Sequence, residues 1–448
     1  MKDLYLLSAT EISELLAAKK IKIQEYFESL IERVRLKEPD VRSWEYFDEE
    51  LFAAKGVQAD NSFFTNAQNR KLTGIPIGIK DIFNTSDMPT CMGSEIWKGF
   101  TPGNNARVVD DIIYDGGIIM GKTVTAEFAV HHPGKTLNPH NAYHMPGTSS
   151  SGSAAAVASG MTPIALGTQT AGSTTRPSSY CGTYGFKPSF GLIPRTGILK
   201  TLDTLDHVTI FSREVNDTRL MLDTIRVKGR NHPYIFKNID NVNQNNAISL
   251  PLKIAFVKTH VWKNLQSYMK EEILSFANKL NNLDSLIVND VSLPSLINET
   301  HINHDLVYSK ALSYYFSAEY ENNGDQLSES FKEMVEYGRT ISIEKYQNAL
   351  IHQNKVHSAM DKFFDDYDII LSMSTVGEAP LLNEKEVDDA ALIWTYAHTP
   401  SINIPIAFGP NNLPLSIQLV SKKYNDYKLL NFVETLQNLQ IIPKIKVV

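Results

Sequence analysis

Positions 136 to 175 are 40 consecutive residues without one Asp, Glu, Lys or Arg, in a chain of 448 residues of which 21% are charged. Two stretches of small residues lie inside this segment, Gly147-Thr-Ser-Ser-Ser-Gly-Ser153 and Gly167-Thr-Gln-Thr-Ala-Gly-Ser173. A flexible Gly/Ser linker would be solvated along its length, but Ala154–Ala158 and Pro163–Leu166 are apolar runs that require burial. The segment therefore belongs inside a fold. Small residues there allow successive backbone N–H groups to converge on a negative charge, because no Cβ blocks the approach. A hydroxyl beside such a turn is placed to act as a nucleophile, with the turn as its oxyanion hole. A phosphate cradle is the competing use, and the G-x-x-x-x-G-K-[ST] pattern it needs is missing.

A serine nucleophile needs a base. His131, His132, His140 and His144 cluster in sequence, but no carboxylate lies near the last three, and no His-Asp arrangement is legible from spacing. A metal site built from these, or from His301 and His304, is a weaker reading than solvated or core histidines. The stronger candidate base is Lys80, in Gly74-Ile-Pro-Ile-Gly-Ile-Lys-Asp81. A period of two puts the isoleucines on one face of a strand and Pro76, Gly78 and Lys80 on the other, with a hollow left beside the ammonium. Burial there would disfavour the charged form and lower the amine pKa. The alternative is a surface lysine at a strand end, paired with Asp81.

The rest of the chain alternates strand and helix patterns. Ser8 with Glu11 makes a capping box for a first helix, and Tyr26, Leu30, Ile31 and Val34 share one stripe of a helix expected over about 22–37. A helix through Val108–Ile113 ends at Gly116 and leads into an apolar strand at Ile118–Met120. Further strands are expected at Lys253–Val257, Leu286–Val288, Asp368–Ser372, Ser401–Ala407 and Leu413–Val420. An Asn- and Lys-rich loop or insertion separates Arg226 from Pro251. This alternation argues for an α/β layered domain.

With 42% hydrophobic residues the chain is of globular composition, and a net charge of −7 without like-charge blocks gives no footprint for nucleic acid or anionic lipid. Cys91 and Cys181 cannot make a disulfide framework. The amino terminus lacks the apolar core of a secretory signal, and no segment is apolar enough to span a bilayer. The expected location is the cytoplasm, with neither nucleic acid nor membrane as a partner.

The motifs Gly74–Asp81, GTSSSGSAAAVASG and GTQTAGSTTRPSSYCGTYGFKP, with AEFAV before them and GLIPRTG and PSINIPIAFGPNNLPLSIQLV after them, resemble the amidase signature family over most of the chain. The resemblance implies an α/β fold with one large mixed β-sheet core covered by helices on both faces. It implies a single domain over 1–448, with a signature core at about 70–225 and a more variable helical region at about 260–365. It implies a catalytic triad of Lys80 as base, Ser149 as bridging serine and Ser173 as nucleophile, with a cis peptide bond between Thr148 and Ser149. The oxyanion hole would be the N–H groups of Thr170, Ala171, Gly172 and Ser173, and Ser150 would be a supporting hydroxyl. No cofactor and no metal are implied. The expected activity is hydrolysis of a small-molecule amide through a serine acyl-enzyme, and a homo-oligomer is left open.

Thr148 and Ala171 stand where the family usually has Gly, and Gln169 stands for a frequent Asp. Two alternatives follow. One is the glutaminase-type subunit of a tRNA-dependent amidotransferase, against which stand Thr175 in place of a substrate-binding Arg, and Ala126 in place of Asp before Glu-Phe-Ala. The other is a catalytically inactive binding or scaffold member of the same fold. Aromatics in Tyr308–Tyr320 and Ile393–His398 either line a substrate pocket or fill the core.

Overall fold

The computed structural model describes residues 3–65, 70–228, 250–384 and 389–448. Most of the Asn-rich loop expected between Arg226 and Pro251 lies outside the described residues. Eleven strands among the described residues form one sheet: β1 (Trp44–Tyr46), β2 (Pro76–Lys80), β3 (Ile118–Thr123), β4 (Ile164–Gln169), β5 (Tyr184–Lys187), β6 (His207–Ser212), β7 (Leu252–Val257), β8 (Leu286–Val291), β9 (Ile369–Met373), β10 (Ser401–Phe408) and β11 (Pro414–Ser421). Their order across the sheet is β1-β3-β2-β4-β6-β5-β10-β11-β9-β7-β8. Strand β2 runs parallel to β3 and β4, and β7 runs parallel to β8 and β9, while the other neighbours are antiparallel.

Strand periodicity explains why both faces carry helices. Ile254 and Phe256 of β7 enter one apolar core, and the alternate Ala255 and Val257 enter another. Strand β9 divides in the same way, with Ile369, Leu371 and Met373 against Ile370. A strand buried on both sides needs a covering layer on each. The expected mixed sheet between two helical layers is what forms. No helix among the described residues is long and apolar enough to cross a membrane.

The first helix, Ala9–Ala17, has the expected Ser8–Glu11 capping box, and its N-terminal amides are also bound by Asp217. The second helix is longer than its apolar stripe predicts and runs Ile23–Val41, through Pro39. Proline usually marks a boundary. Here the chain is tied beyond it, because Glu38 accepts hydrogen bonds from the Ser43 and Trp44 amides and Arg42 supplies a left-handed C-cap.

The charge-free segment makes the helix Ser151–Ala158, then β4, then the helix Thr175–Cys181. Every residue of the Ser151–Ala158 helix is buried. A Cβ on Gly152 would collide with the backbone at Val124 and Ser43, so this helix can approach the sheet only with glycine there. Ser153 closes the contact by bonding Thr123 Oγ1 at 2.7 Å and the Leu166 carbonyl at 2.9 Å. A charge anywhere in this layer would be stranded without water.

Candidate active site

Lys80 ends β2, a central strand, and is 0% exposed. Its Nζ donates to Ser149 Oγ at 2.7 Å, Thr168 Oγ1 at 2.9 Å and Ser150 Oγ at 3.1 Å. All three partners are hydroxyls, and none carries charge. Burial, assisted by the positive charge of Arg195, holds the amine well below its ordinary pKa of 10.5. The surface-lysine alternative fails on this geometry. Asp81 instead pairs with Lys122 at 3.0 Å and accepts the Cys91 amide at 2.9 Å. The hollow expected at Gly78 is filled by the Trp44 ring and the Thr123 methyl.

Ser149 has two partners. It accepts from Lys80 and donates to the Ala129 carbonyl at 2.8 Å. That carbonyl is delivered by an irregular turn in which Phe128 and Ala129 take φ values of 45° and 61°. Side chains rarely adopt this backbone region, which costs roughly 1–2 kcal/mol per residue. The turn is held because Phe128 packs against Phe316 and Phe331, with ring centroids 4.8 and 5.2 Å away, and because Glu127 binds Ser328. The Ala126–Val130 stretch therefore belongs to the site through its backbone.

The expected cis bond is not found. Among the described residues the cis peptide bond is Leu250–Pro251, so Thr148–Ser149 is trans. A non-proline cis bond costs about 2.5–4 kcal/mol, and Ser149 reaches Lys80 from the trans backbone without it. The structure also leaves one expected contact unmade. No hydrogen bond joins Ser173 to Ser149, whose proton is directed to Ala129 instead. Lys80, Ser149 and Ser150 are brought together, and Ser173 lies half-buried in the following loop without a hydrogen bond to them.

That loop, 170–174, is shaped by carbonyl anchors. His304 Nε2 donates to the Thr170 carbonyl at 3.0 Å, and Thr395 Oγ1 donates to the Ala171 carbonyl at 2.6 Å. In a trans peptide the C=O and the next N–H point in opposite directions. Tethering these two carbonyls thus aims the Ala171 and Gly172 amides to the other side. Gln169 Oε1 takes the Thr174 and Thr175 amides at 2.8 and 3.0 Å, and its Nε2 donates to Thr395 at 2.9 Å. The amides of Thr170, Ala171, Gly172 and Ser173 donate to no protein acceptor among the described residues. Ala171 has no positive φ, so its methyl group brings no backbone strain.

Asp389 lies against this loop, and a Cβ on Gly172 would collide with both of its carboxylate oxygens. It faces Arg176 at 3.8 Å, with both side chains about nine-tenths buried. His304 is pushed down to about pKa 4 by burial and is neutral at ordinary pH. Among the described residues no three His, Cys, Asp or Glu side chains form a group able to hold a metal. Trp394 and Tyr396 are fully buried and belong to the core, as does Phe316, while Tyr314 faces solvent.

Sequence reading missed Thr168, the Ala129 carbonyl and Asp389, of which Thr168 carried a signal as a hydroxyl inside the Gly167–Ser173 motif. His304 was weighed only as a metal-site, solvated or core histidine, and Thr395 lay in the Ile393–His398 segment noted for its aromatics.

Comparison with known proteins agrees with the fold and the motifs. The Amidase family model matches residues 25–430. A Glutamyl-tRNA(Gln) amidotransferase chain of Halothermothrix orenii is 28% identical over 476 aligned residues, which cover 97% of each chain. The native peptide amidase from Stenotrophomonas maltophilia superposes with a TM-score of 0.83 at 20% identity, covering 98% of both chains. A bacterial aryl acylamidase of the amidase signature family gives 0.84 at 19% identity, over 95% of this chain and 94% of that one.

Proposed function

The chain belongs to the amidase signature family and is an amide-cleaving enzyme, and from that premise we propose that it hydrolyses a small carboxylic amide through an acyl-enzyme on Ser173. The observation that carries this reading is the buried Lys80 amine, hydrogen-bonded to Ser149 and free of any carboxylate partner. Neutral Lys80 takes the Ser149 proton as Ser149 takes that of Ser173, and the Ser173 oxygen attacks the amide carbonyl. Before this can happen the Ser149 hydroxyl turns from the Ala129 carbonyl to the lysine, and Ser173 closes on Ser149. The tetrahedral oxyanion is received by the open amides of Thr170 to Ser173. The relay runs backwards to protonate the leaving nitrogen, and water then releases the acid. Ser150 and Thr168 hold the lysine in place throughout.

The same reading treats residues 1–448 as one amidase domain that acts in the cytoplasm on a small-molecule amide. A second reading is favoured by the Glutamyl-tRNA(Gln) amidotransferase relatives. In that reading glutamine is the amide donor and a partner protein uses the ammonia. Ammonia release from glutamine, with and without such a partner, separates the two.

The direct test is labelling by a fluorophosphonate probe. Wild-type protein is expected to be labelled at Ser173, and Ser173→Ala to lose the label while keeping its fold. A folded wild-type protein that takes no label would overturn the reading in favour of a binding or scaffold role.

A further inference from the structure

Asp389 is an uncomfortable neighbour for an oxyanion hole. Its carboxylate rests on Gly172, the residue before Ser173, and Oδ2 accepts no hydrogen bond among the described residues. The other oxygen is satisfied by the Ala391 amide at 2.8 Å. Arg176 is ion-paired with Oδ2 at 3.8 Å but lies beyond hydrogen-bonding distance, and nearby His304 is uncharged. An anion with one oxygen lacking a hydrogen bond, offset by the guanidinium only at 3.8 Å and about nine-tenths closed to solvent, is poorly suited to a neighbouring negative charge. The conflict disappears when the substrate itself brings a cation with N–H donors to that spot. We propose that Asp389 is a specificity-determining residue that receives the protonated α-amino group of an amino-acid amide.

The position fixes which part of the substrate is read. The leaving nitrogen has to face Ser149, its proton source, so the group beside Gly172 is the acyl part. Consecutive Cα atoms are about 3.8 Å apart, which puts an amine held by Asp389 within one or two carbons of the carbonyl attacked by Ser173. An ammonium gives Oδ2 the hydrogen bond that Arg176 does not and leaves the amides of Thr170 to Ser173 for the oxyanion. A neutral acyl group leaves Oδ2 without one.

This proposal rests on the amide-hydrolase reading, and its test separates the two. The rates of alaninamide, lactamide and isobutyramide are compared, since these differ only in the α-substituent: ammonium, hydroxyl or methyl. Wild-type kcat/KM is expected to favour alaninamide over isobutyramide by about 10- to 100-fold, the range of a charge-assisted hydrogen bond. Asp389→Asn keeps the shape, removes the charge and should collapse that ratio toward unity. Hydrolysis of all three amides at similar rates by wild type, or an unchanged ratio in Asp389→Asn, overturns the role of Asp389 and leaves the hydrolase reading standing. No turnover of any amide together with no fluorophosphonate label ends both. The wild-type comparison stands alone if Asp389→Asn does not fold.

Discussion

At the residue scale the chemistry turns on an amine that has only hydroxyls for company. Lys80 meets Ser149, Ser150 and Thr168 and no acid, so its neutral form is favoured by burial. The sign of the pH effect follows. The active form is the deprotonated one, so kcat/KM should rise with pH as Lys80 loses its proton and then level off. The inflection belongs well below the ordinary 10.5 of a lysine. A rise that comes only near that ordinary value would mean that a solvated group, not Lys80, limits the rate. Lys80→Ala should cost about 10²- to 10⁴-fold in turnover, the usual worth of a general base. Lys80→Arg should not restore it, because a guanidinium does not deprotonate. Thermal melts of both variants check that the loss is chemical. Lys80 was legible as a candidate from the pattern of its strand, and Ser149 and Ser150 through the family resemblance of the Gly/Ser motif. The Ala129 carbonyl was not, since any residue supplies a carbonyl and only the left-handed turn at 128–129 gives this one its aim. The trans bond before Ser149 was misread for a related reason: resemblance transmits a family's backbone geometry, and no side chain in this sequence encodes it.

At the scale of elements, the turn between β4 and the Thr175–Cys181 helix depends on a helix far along the chain. Thr395, in the helix Leu392–Tyr396, stands 226 residues from Gln169 and joins its carboxamide to the Ala171 carbonyl. Where the family often has a carboxylate, the Gln169 amide both accepts the Thr174 and Thr175 amides and donates onward, which a carboxylate cannot do. Thr395→Val keeps the volume and strands both partners. It should cost about 1–3 kcal/mol of stability. Release of the Ala171 carbonyl should also lower kcat by up to about 10²-fold, because the next amide loses its aim. Chemical denaturation and single-turnover rates report the two effects separately. A stability loss with unchanged kcat would make Thr395 only a strut. Apolar runs such as Lys253–Val257 and Ser401–Ala407 gave their strands to within a residue, because such a run carries its own period. By contrast β3 and β8 extend three residues beyond the expected Met120 and Val288, and β1, β5 and β6 were not read as strands. The partners of the turn were not legible, because a hydrogen bond across 226 positions leaves no local pattern.

At the scale of the whole molecule, β10 is the strand that joins the two parts of the sheet. It pairs with β5 on one side and β11 on the other. Around this seam lie several buried titratable groups. Phe190 stacks on His398 with centroids 4.0 Å apart, His357 lies 4.1 Å beyond, and His207 packs at the edge. Burial drives His207 and His398 well below their ordinary range and His357 down from 6.5 to about 4. Between those two values an unfolded chain binds a proton at position 357 that the native state refuses, so this residue withdraws stability as pH falls. Buried Asp217 and Asp426, held above the usual carboxylate range, act in the opposite direction. A difference measurement isolates the histidine. The Tm advantage of His357→Gln over wild type should grow as pH drops from 6.5 toward 4, and a gap constant across that range would show that His357 does not titrate there.

The seam has a consequence for how such a chain is made. Ser401 of β10 aligns with Lys187 of β5, and Ser189 next to it is held by Asp426 through its amide at 2.8 Å and its hydroxyl at 2.6 Å. On the ribosome β5 emerges more than two hundred residues ahead of the strand that covers it. Throughout that interval its free edge is open to any passing β-strand, including that of a neighbouring nascent chain. Synthesis halted before residue 401 would leave the nucleophile segment already translated, in a sheet that ends at an uncapped β5.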